Sequence, residues 1–445
     1  MKIKFIVFFV ASILGCALLS SAQANKILPF EAGAAKVNIT PASDALPGDF
    51  TPSPTDVNDG YTRINDSLYT RALVFDNGST SAALISVDNG MLGESIWKNV
   101  AERINKEIDI PVDNIILCAT HTHSAPFLNA LDDPIISAYI STIEDAIVKA
   151  AKKANSNMQP ARIGFGTGAS YLNVNRDLID PETRRWTQGP NYEGVSDHTV
   201  YVVKVEAVSG ELIGVLTNFA MHATMMFRSG AISAGIPGKV SNYIEDYYKN
   251  FHDNDDVVAL WSMGAAGDQN PVYYMSVLRS LQSEAAYERQ AQMISSFGQI
   301  MGEEVIRVLQ STKRLDGEIS IYGAQKTVEC PGRTRTNTGR QGVGGTYSEG
   351  EPVDIKLSFL QLGDIAFAGV NAEVYNLIAH RFKEESSMAN IVFTTITNGA
   401  SNSGYIPSDD AFGRETFQVL GSRLQPGYAE TAIVNGLLEL MDENK

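Results

Sequence analysis

Apolar and polar positions along this chain follow two rhythms in turn, and their succession predicts strands interleaved with helices. Leu73-Val74-Phe75 and residues 82–87 read as two strands joined at Asp76-Asn77-Gly78, a turn sequence. Residues 93–106 carry helical spacing, and 114–119 form a short continuous apolar run of the kind buried in a sheet. Residues 135–155 are helical again, while 199–208 and 211–219 form a second strand pair around Ser209-Gly210. A helix is expected over 241–250, a strand over 257–263, and one or two long helices over 280–311. Late strands fall at 357–362, 365–370 and 390–397, and a last helix lies within 420–441, starting after Pro426. Such alternation argues for an α/β fold with mixed β-sheets flanked by helices. No repeat or low-complexity linker divides the chain. One stretch, 330–352, has Arg333, Arg335, Arg340, several glycines and little apolar content. It reads as a long irregular loop, either part of an active site or a solvated insertion.

The composition fits a folded protein. Of 445 residues, 44% are hydrophobic and 19% charged, which suits one large catalytic domain or two ordinary ones. The net charge of −16 repels nucleic acid and anionic lipid at long range, so no nucleic-acid partner is expected. Lys2 and Lys4, the apolar run 5–19 and Ser-Ser-Ala-Gln-Ala ending at Ala24 read as a signal peptide over 1–24. Residues 25–445 would then be the mature, single-domain chain, secreted or periplasmic. An alternative is a lipoprotein site at Ile13-Leu14-Gly15-Cys16, anchoring the chain through Cys16. No second run is long enough to span a bilayer. Cys118 and Cys330 are too few for a disulfide scaffold; buried free thiols are the favoured reading, with pairing as the alternative.

Chemistry enters with the histidines, of which there are only six. His121 and His123 stand two apart just after the apolar run, in Cys118-Ala119-Thr120-His121-Thr122-His123. On an extended segment both would point to one side. Imidazole is a common metal ligand, and ligands gather at the carboxyl ends of strands in α/β sheets. Two polar residues at a strand end are the plainer account. His222 also ends a strand-like run, where a satisfied core histidine is the alternative. Glu373 follows another, where a carboxylate at a helix start is equally ordinary. Two histidines and a carboxylate with a fourth position open make a catalytic zinc site, which activates water and polarises a carbonyl.

The run from Ala119 to Pro126, Ala-Thr-His-Thr-His-Ser-Ala-Pro, resembles the Ala-Thr-His-Thr-His-Ser-Gly-Pro signature of neutral/alkaline (non-lysosomal) ceramidases. Further stretches resemble that family in the same order. They are Ala32-Gly33 with 36–41, 68–74 with Asp88-Asn89-Gly90-Met91, Asn175-Arg176, 218–224, Gly267-Asp268-Gln269-Asn270-Pro271 and 402–409. The resemblance covers most of the mature chain and implies the fold of the family's N-terminal catalytic domain. It implies that His121, His222, Glu373 and Tyr405 bind Zn2+, with His123 and Arg176 catalytic beside the metal-bound water and the substrate carbonyl. Without the family, Arg176 reads as a surface arginine and Tyr405 as an aromatic near a turn.

Three departures bear on function. Asn270 stands where the family has a serine, and an amide is no serine-type nucleophile; Asp268 beside it reads as a loop-shaping residue. The family's C-terminal β-sandwich domain is not expected here. The arginines of 330–352 suggest a polar or anionic substrate group. The leading expectation is a zinc-dependent hydrolase that cleaves a carbon–nitrogen amide bond, in ceramide or a similar N-acyl amide, by attack of zinc-bound water. A zinc-dependent esterase or lactonase for a smaller polar or anionic substrate is the alternative, and a non-catalytic binding protein on the same scaffold is a second. The partner is a small-molecule or lipid amide; nothing in the sequence speaks to oligomeric state.

Overall fold

Neighbouring residues of each strand face two different cores, and this alternation sets the architecture. The computed structural model describes residues 30–42, 61–128, 132–227, 229–274, 284–314, 316–339 and 341–443. The expected signal peptide, Cys16 and Arg340 lie outside them. The chain enters on β1 (Glu31–Asn38), then β2 (Tyr69–Asp76), β3 (Ser81–Val87), α1 (Glu94–Ile108), β4 (Ile115–Ala119) and α2 (Pro134–Ser156). Next come β5 (Gln159–Ala169), β6 (Asn173–Ile179), β7 (Trp186–Asn191), β8 (Thr199–Ala207), β9 (Leu212–Phe219), α3 (Gly235–His252), β10 (Val258–Met263), β11 (Gln269–Pro271) and α4 (Glu284–Ser311). The last part holds β12 (Ile321–Arg335), β13 (Tyr347–Leu362), β14 (Ile365–Val370), β15 (Glu373–Val374), α5 (Asn376–Glu385), β16 (Asn390–Thr395), β17 (Tyr405–Ile406), α6 (Phe417–Gly421) and α7 (Ala429–Asp442).

Eight strands form one mixed sheet in the order β10-β9-β8-β5-β1-β2-β3-β4, and four form a second, β12-β13-β14-β16. Leu73, Phe75, Leu84, Val203, Leu216 and Leu260 of the first sheet share a core with Leu360, Ile365, Phe367 and Val392 of the second. Their sequence neighbours Ala72, Val74 and Ile85 face the other way, onto α1 and α2. Val202, Val215 and Trp261 likewise face α3 and α4, and Leu357, Phe359 and Phe393 face α5 and α7. The result is four layers, helix, sheet, sheet, helix, and the expected mixed α/β fold is what the chain adopts. Phe367 is fully buried between the sheets. Phe367→Ala is expected to cost about 3–5 kcal/mol, measured as a lower urea midpoint at unchanged slope.

Local sequence explains the element ends that matter. The Asp133 side chain accepts from the amides of Ile135 and Ile136, and Pro134 begins α2. Its apolar stripe, Ile136, Ile140, Ile143, Ile147 and Ala154, repeats at helical spacing and is buried. The outer edge of β4 is covered by residues arriving from β16. Asn398 donates from its amide to Leu117 O and from Nδ2 to Ile115 O, and its Oδ1 accepts from Leu117 N. It adopts a left-handed backbone, φ 57°, which asparagine tolerates well.

The stretch 330–352 corrects the expectation of a loop. Most of it is strand: β12 and β13 pair from Ile321↔Leu362 out to Arg335↔Tyr347 as one long antiparallel arm. The outer part of β13, residues 347–352, has no buried residue, and β12 buries only Cys330, Gly332 and Arg333 opposite it, so no apolar alternation marks the arm in sequence. Arg333 is buried there, donating to Ser422 O and Val419 O and lying over the Tyr347 ring. Arg335 is tied to Asn337 Oδ1 and Gly339 O at the tip of the arm. These two guanidiniums are committed within the arm and its support. Cys118 and Cys330 are both free and buried. Burial pushes the Cys118 thiol up to about 12, leaving it unreactive at neutral pH.

Candidate metal centre

Several segments just past strand ends converge on one point. Three parallel strand pairs, β3/β4, β9/β10 and β14/β16, lie in this region. His121 and His123 follow β4, His222 follows β9, and Glu373 lies beyond β14. Thr122 bridges to Ala223, which brings the two histidine segments side by side, and His123 N donates to Ala223 O. Glu373 and Tyr405 are register partners in the short parallel pair β15/β17. The two residues reach the site as neighbours despite their separation in sequence.

His121 does not sit on extended chain. Its φ is +62°, a left-handed turn that a non-glycine residue adopts at a cost. The expected same-side pair therefore forms through this turn and not through strand alternation. His121 Nδ1 lies 2.6 Å from Gly90 O, and His222 Nδ1 lies 3.0 Å from Gln269 O. A carbonyl only accepts, so each Nδ1 carries the proton and each Nε2 keeps its lone pair for the centre. His123 Nε2 is 3.2 Å from His121 Nε2, and Glu373 Oε2 is 2.8 Å from His222 Nε2 and 3.3 Å from His121 Nε2. Tyr405 Oη is 3.4 Å from His222 Nε2. Ligands at 2.0–2.1 Å around a tetrahedral zinc stand roughly 3.3 Å apart, so these spacings suit a metal ion. His121, His123 and His222 form a group able to hold one, with ligand atoms within 4.8 Å of one another. Glu373 and Tyr405 adjoin it.

The electrostatics suit a cation. Burial pushes the Glu373 carboxyl up, but His121 and His222 more than offset this and hold it well below the usual carboxylate range. Burial, with Arg176 next, lowers His222 to about 3; burial, then His121 and His222, keeps His123 well below its ordinary value. Both rings are therefore neutral at pH 7, as metal ligation requires. Burial first and Glu373 second push the Tyr405 phenol up.

Arg176, in the middle of β6, is buried with its guanidinium at the same point. Its Nη2 donates to Gly267 O at 2.5 Å and lies 3.5 Å from His222 Nε2; Nη1 donates to Asn270 Oδ1 at 3.2 Å. Burial works against its charge, but Tyr405 and Glu373 nearby keep its pKa raised. The rings of Tyr405 and Phe417 lie 5.3 and 5.1 Å from its guanidinium carbon. Gly267 has no room for a side chain: a Cβ there would meet Val374 O at 2.9 Å and Tyr375 Cδ1 at 3.0 Å. Asp268 accepts from Asn376 N on one oxygen and Asn175 Nδ2 on the other, while its backbone O accepts from Arg176 N. Burial, with Asp177 adding, pushes its carboxyl up to about 6. Asp268 thus ties the 267–271 loop to β6 and to the start of α5.

All six residues singled out from sequence meet here. Sequence reasoning missed the carbonyls of Gly90 and Gln269 and the rings of Phe227 and Phe417. Phe227 stands edge-on to His123 at 5.7 Å, and Phe417 stands edge-on to Tyr405 at 5.6 Å. The Gly90 and Gln269 segments each carried a motif, and the two phenylalanines did not.

A family model described as neutral/alkaline non-lysosomal ceramidase, N-terminal, matches residues 55–298, more than half of the chain. Neutral ceramidase of Pseudomonas aeruginosa is 26% identical over 286 residues, 59% of this chain and 40% of that protein. Neutral ceramidase A of Dictyostelium discoideum is 26% identical over 220 residues, 45% of this chain and 30% of that protein. The chain thus spans less than half the length of these curated relatives. A solved ceramidase complexed with C2 superposes with a TM-score of 0.71 at 17% identity, covering 94% of this chain and 76% of that one. A crystal structure of the Pseudomonas aeruginosa neutral ceramidase gives 0.70, also at 17%, over 93% and 74%. At that identity the superpositions speak for a shared fold alone.

Proposed function

Because this chain belongs to the neutral/alkaline non-lysosomal ceramidase family, we propose that it is an exported zinc-dependent hydrolase, built as one catalytic unit, that cleaves the carbon–nitrogen bond of an N-acyl lipid amide such as ceramide. The observation that carries this reading is the pair of fixed imidazoles: the Nε2 atoms of His121 and His222 lie within 3.3 Å of the same Glu373 oxygen. His121, His222, Glu373 and Tyr405 would hold the zinc. Bound there, it supplies an activated water and a Lewis acid for the substrate carbonyl.

The chain's own residues do the rest. Glu373 brings negative charge that the two imidazoles and the cation share. His123, neutral and with Nε2 turned to the centre, takes the proton released as the carbonyl is attacked and returns it to the leaving nitrogen. The Arg176 guanidinium supplies hydrogen bonds to the carbonyl oxygen as it gains charge. Phe227 and Phe417 place apolar surface at the site, which suits an acyl chain, and Arg333 and Arg335 are engaged elsewhere. That favours a lipid amide over a small anionic ester or lactone. Among the described residues no helix is long and apolar enough to cross a membrane. The test is a screen of ceramides, simple N-acyl amides, esters and lactones, with and without chelator. Amide hydrolysis with about one zinc per chain, both lost to chelator, is the expected outcome. Hydrolysis indifferent to chelator, or protein that takes up no zinc at neutral pH, would sink the proposal.

A further inference from the structure

Arg176 is a buried cation with no hydrogen bond to a carboxylate among the described residues. Its contacts go to uncharged groups, Asn270 Oδ1, Gly267 O and, at 3.5 Å, His222 Nε2, with the Tyr405 hydroxyl also beside it, and its Nε has no hydrogen-bond partner there. The carboxylates around it are committed elsewhere. Asp177 accepts from Tyr375 Oη, Arg414 Nη1 and Gln418 Nε2. Asp268 accepts from Asn175 and Asn376, and Glu373 faces the histidines. A buried guanidinium left this way has charge and donors to spare for an incoming oxygen.

We infer that Asn270 is a positioning residue for Arg176: its side-chain oxygen fixes the guanidinium at the centre and, being uncharged, leaves the arginine's charge for the substrate. Asn270 lies on β11, paired with Val174 of β6 two residues from Arg176, so its reach across is set by the sheet. Serine at this position carries its oxygen one bond closer to the backbone and falls short of Nη1. Aspartate has the same shape, but would form a charged pair with the guanidinium and draw its charge away from the reaction. Asn270, which cannot serve as a serine-type nucleophile, thus acts as a neutral holder for the arginine. The inference rests on the role given to Arg176 above.

The test combines crystal structures with a double-mutant cycle on the zinc-loaded protein. In Asn270→Ala the guanidinium is expected to leave its place over His222, kcat to fall about 10–100-fold with KM within about threefold, and zinc affinity to stay within about twofold. In an Arg176→Ala background Asn270→Ala should cost nothing more, since its effect passes through the arginine. Asn270→Asp should keep Arg176 in place and still lose about tenfold or more in kcat. An Arg176 that stays put in Asn270→Ala overturns the inference, as does an equal loss in both backgrounds or a fully active Asn270→Asp. If no amide is cleaved by the wild type, the proposed function falls, while the position of Arg176 in the variant crystals still decides this point.

Discussion

His121→Ala protein is expected to fold, to lose its zinc, and to hydrolyse its amide on the order of 10³-fold more slowly or worse. Two features make this the largest single effect. The His121 ring is held by Gly90 O on one side and faces Glu373 and His123 on the other, so its lone pair is fixed on the centre. Its loss leaves His222 as the single imidazole of the proposed set, beside Glu373 and Tyr405, a weaker hold on zinc at neutral pH. An outer partner of a ligand typically accounts for 10–100-fold in metal affinity, and a ligand itself should exceed that. Metal content by mass spectrometry and kcat, measured on the same sample, give the answer. Full zinc content with activity within tenfold of wild type would remove His121 from the ligand set. His123→Ala is the informative partner, because His123 lies as close to His121 as Glu373 does. If His123 moves protons and does not bind metal, that variant keeps its zinc and loses activity alone.

Arg176→Ala should come next, with kcat lower by about 10²–10³ and zinc content unchanged. The guanidinium is already desolvated and already held, so its hydrogen bonds to a developing oxyanion need no reorganisation at the moment of reaction. Arg176→Lys keeps a charge but not the fork, and the contacts to Asn270 and Gly267 cannot both survive. It should recover only part of the loss. Measuring kcat and KM separately checks the assignment. A rise in KM at constant kcat would make Arg176 a plain binding residue.

Much of this was legible in the chain before folding. The strands of the two sheets announce themselves wherever one face meets a core and the next residue meets another, as at Leu73 and Val74 or Leu84 and Ile85. The glycine-rich strand β5 does not, because Gly166 and Gly168 lie flat against Val308, Thr312 and Glu304 near the end of α4, where side chains would not fit. Strand character there comes from a close helix approach that no local pattern encodes. The long arm of β12 and β13 is hidden for the opposite reason, having too little core on either face to leave a pattern. For the site, the His-Thr-His run is visible in any reading. Its partners are not, since Glu373 and Tyr405 meet only through the β15/β17 pairing, and Arg176 reaches the metal ligands only because β6 pairs with β11. Pattern alone offered Glu373 as a carboxylate just past a strand, with a helix-start residue as the alternative; the resemblance to a family added Arg176 and Tyr405, otherwise a surface arginine and an aromatic near a turn.

The asparagine beside β4 has a consequence apart from chemistry. An eight-stranded sheet ending in an all-apolar strand is a template on which another chain's strand, folded or unfolded, can build. Asn398 meets that edge with three hydrogen bonds from a single residue whose left-handed backbone cannot itself extend into a strand. The sheet is thereby terminated by a cap and not by a further strand. The strand that leads to the histidines is withheld from intermolecular pairing, a safeguard against self-assembly at the place where an apolar, fully buried ribbon would otherwise be offered to its neighbours.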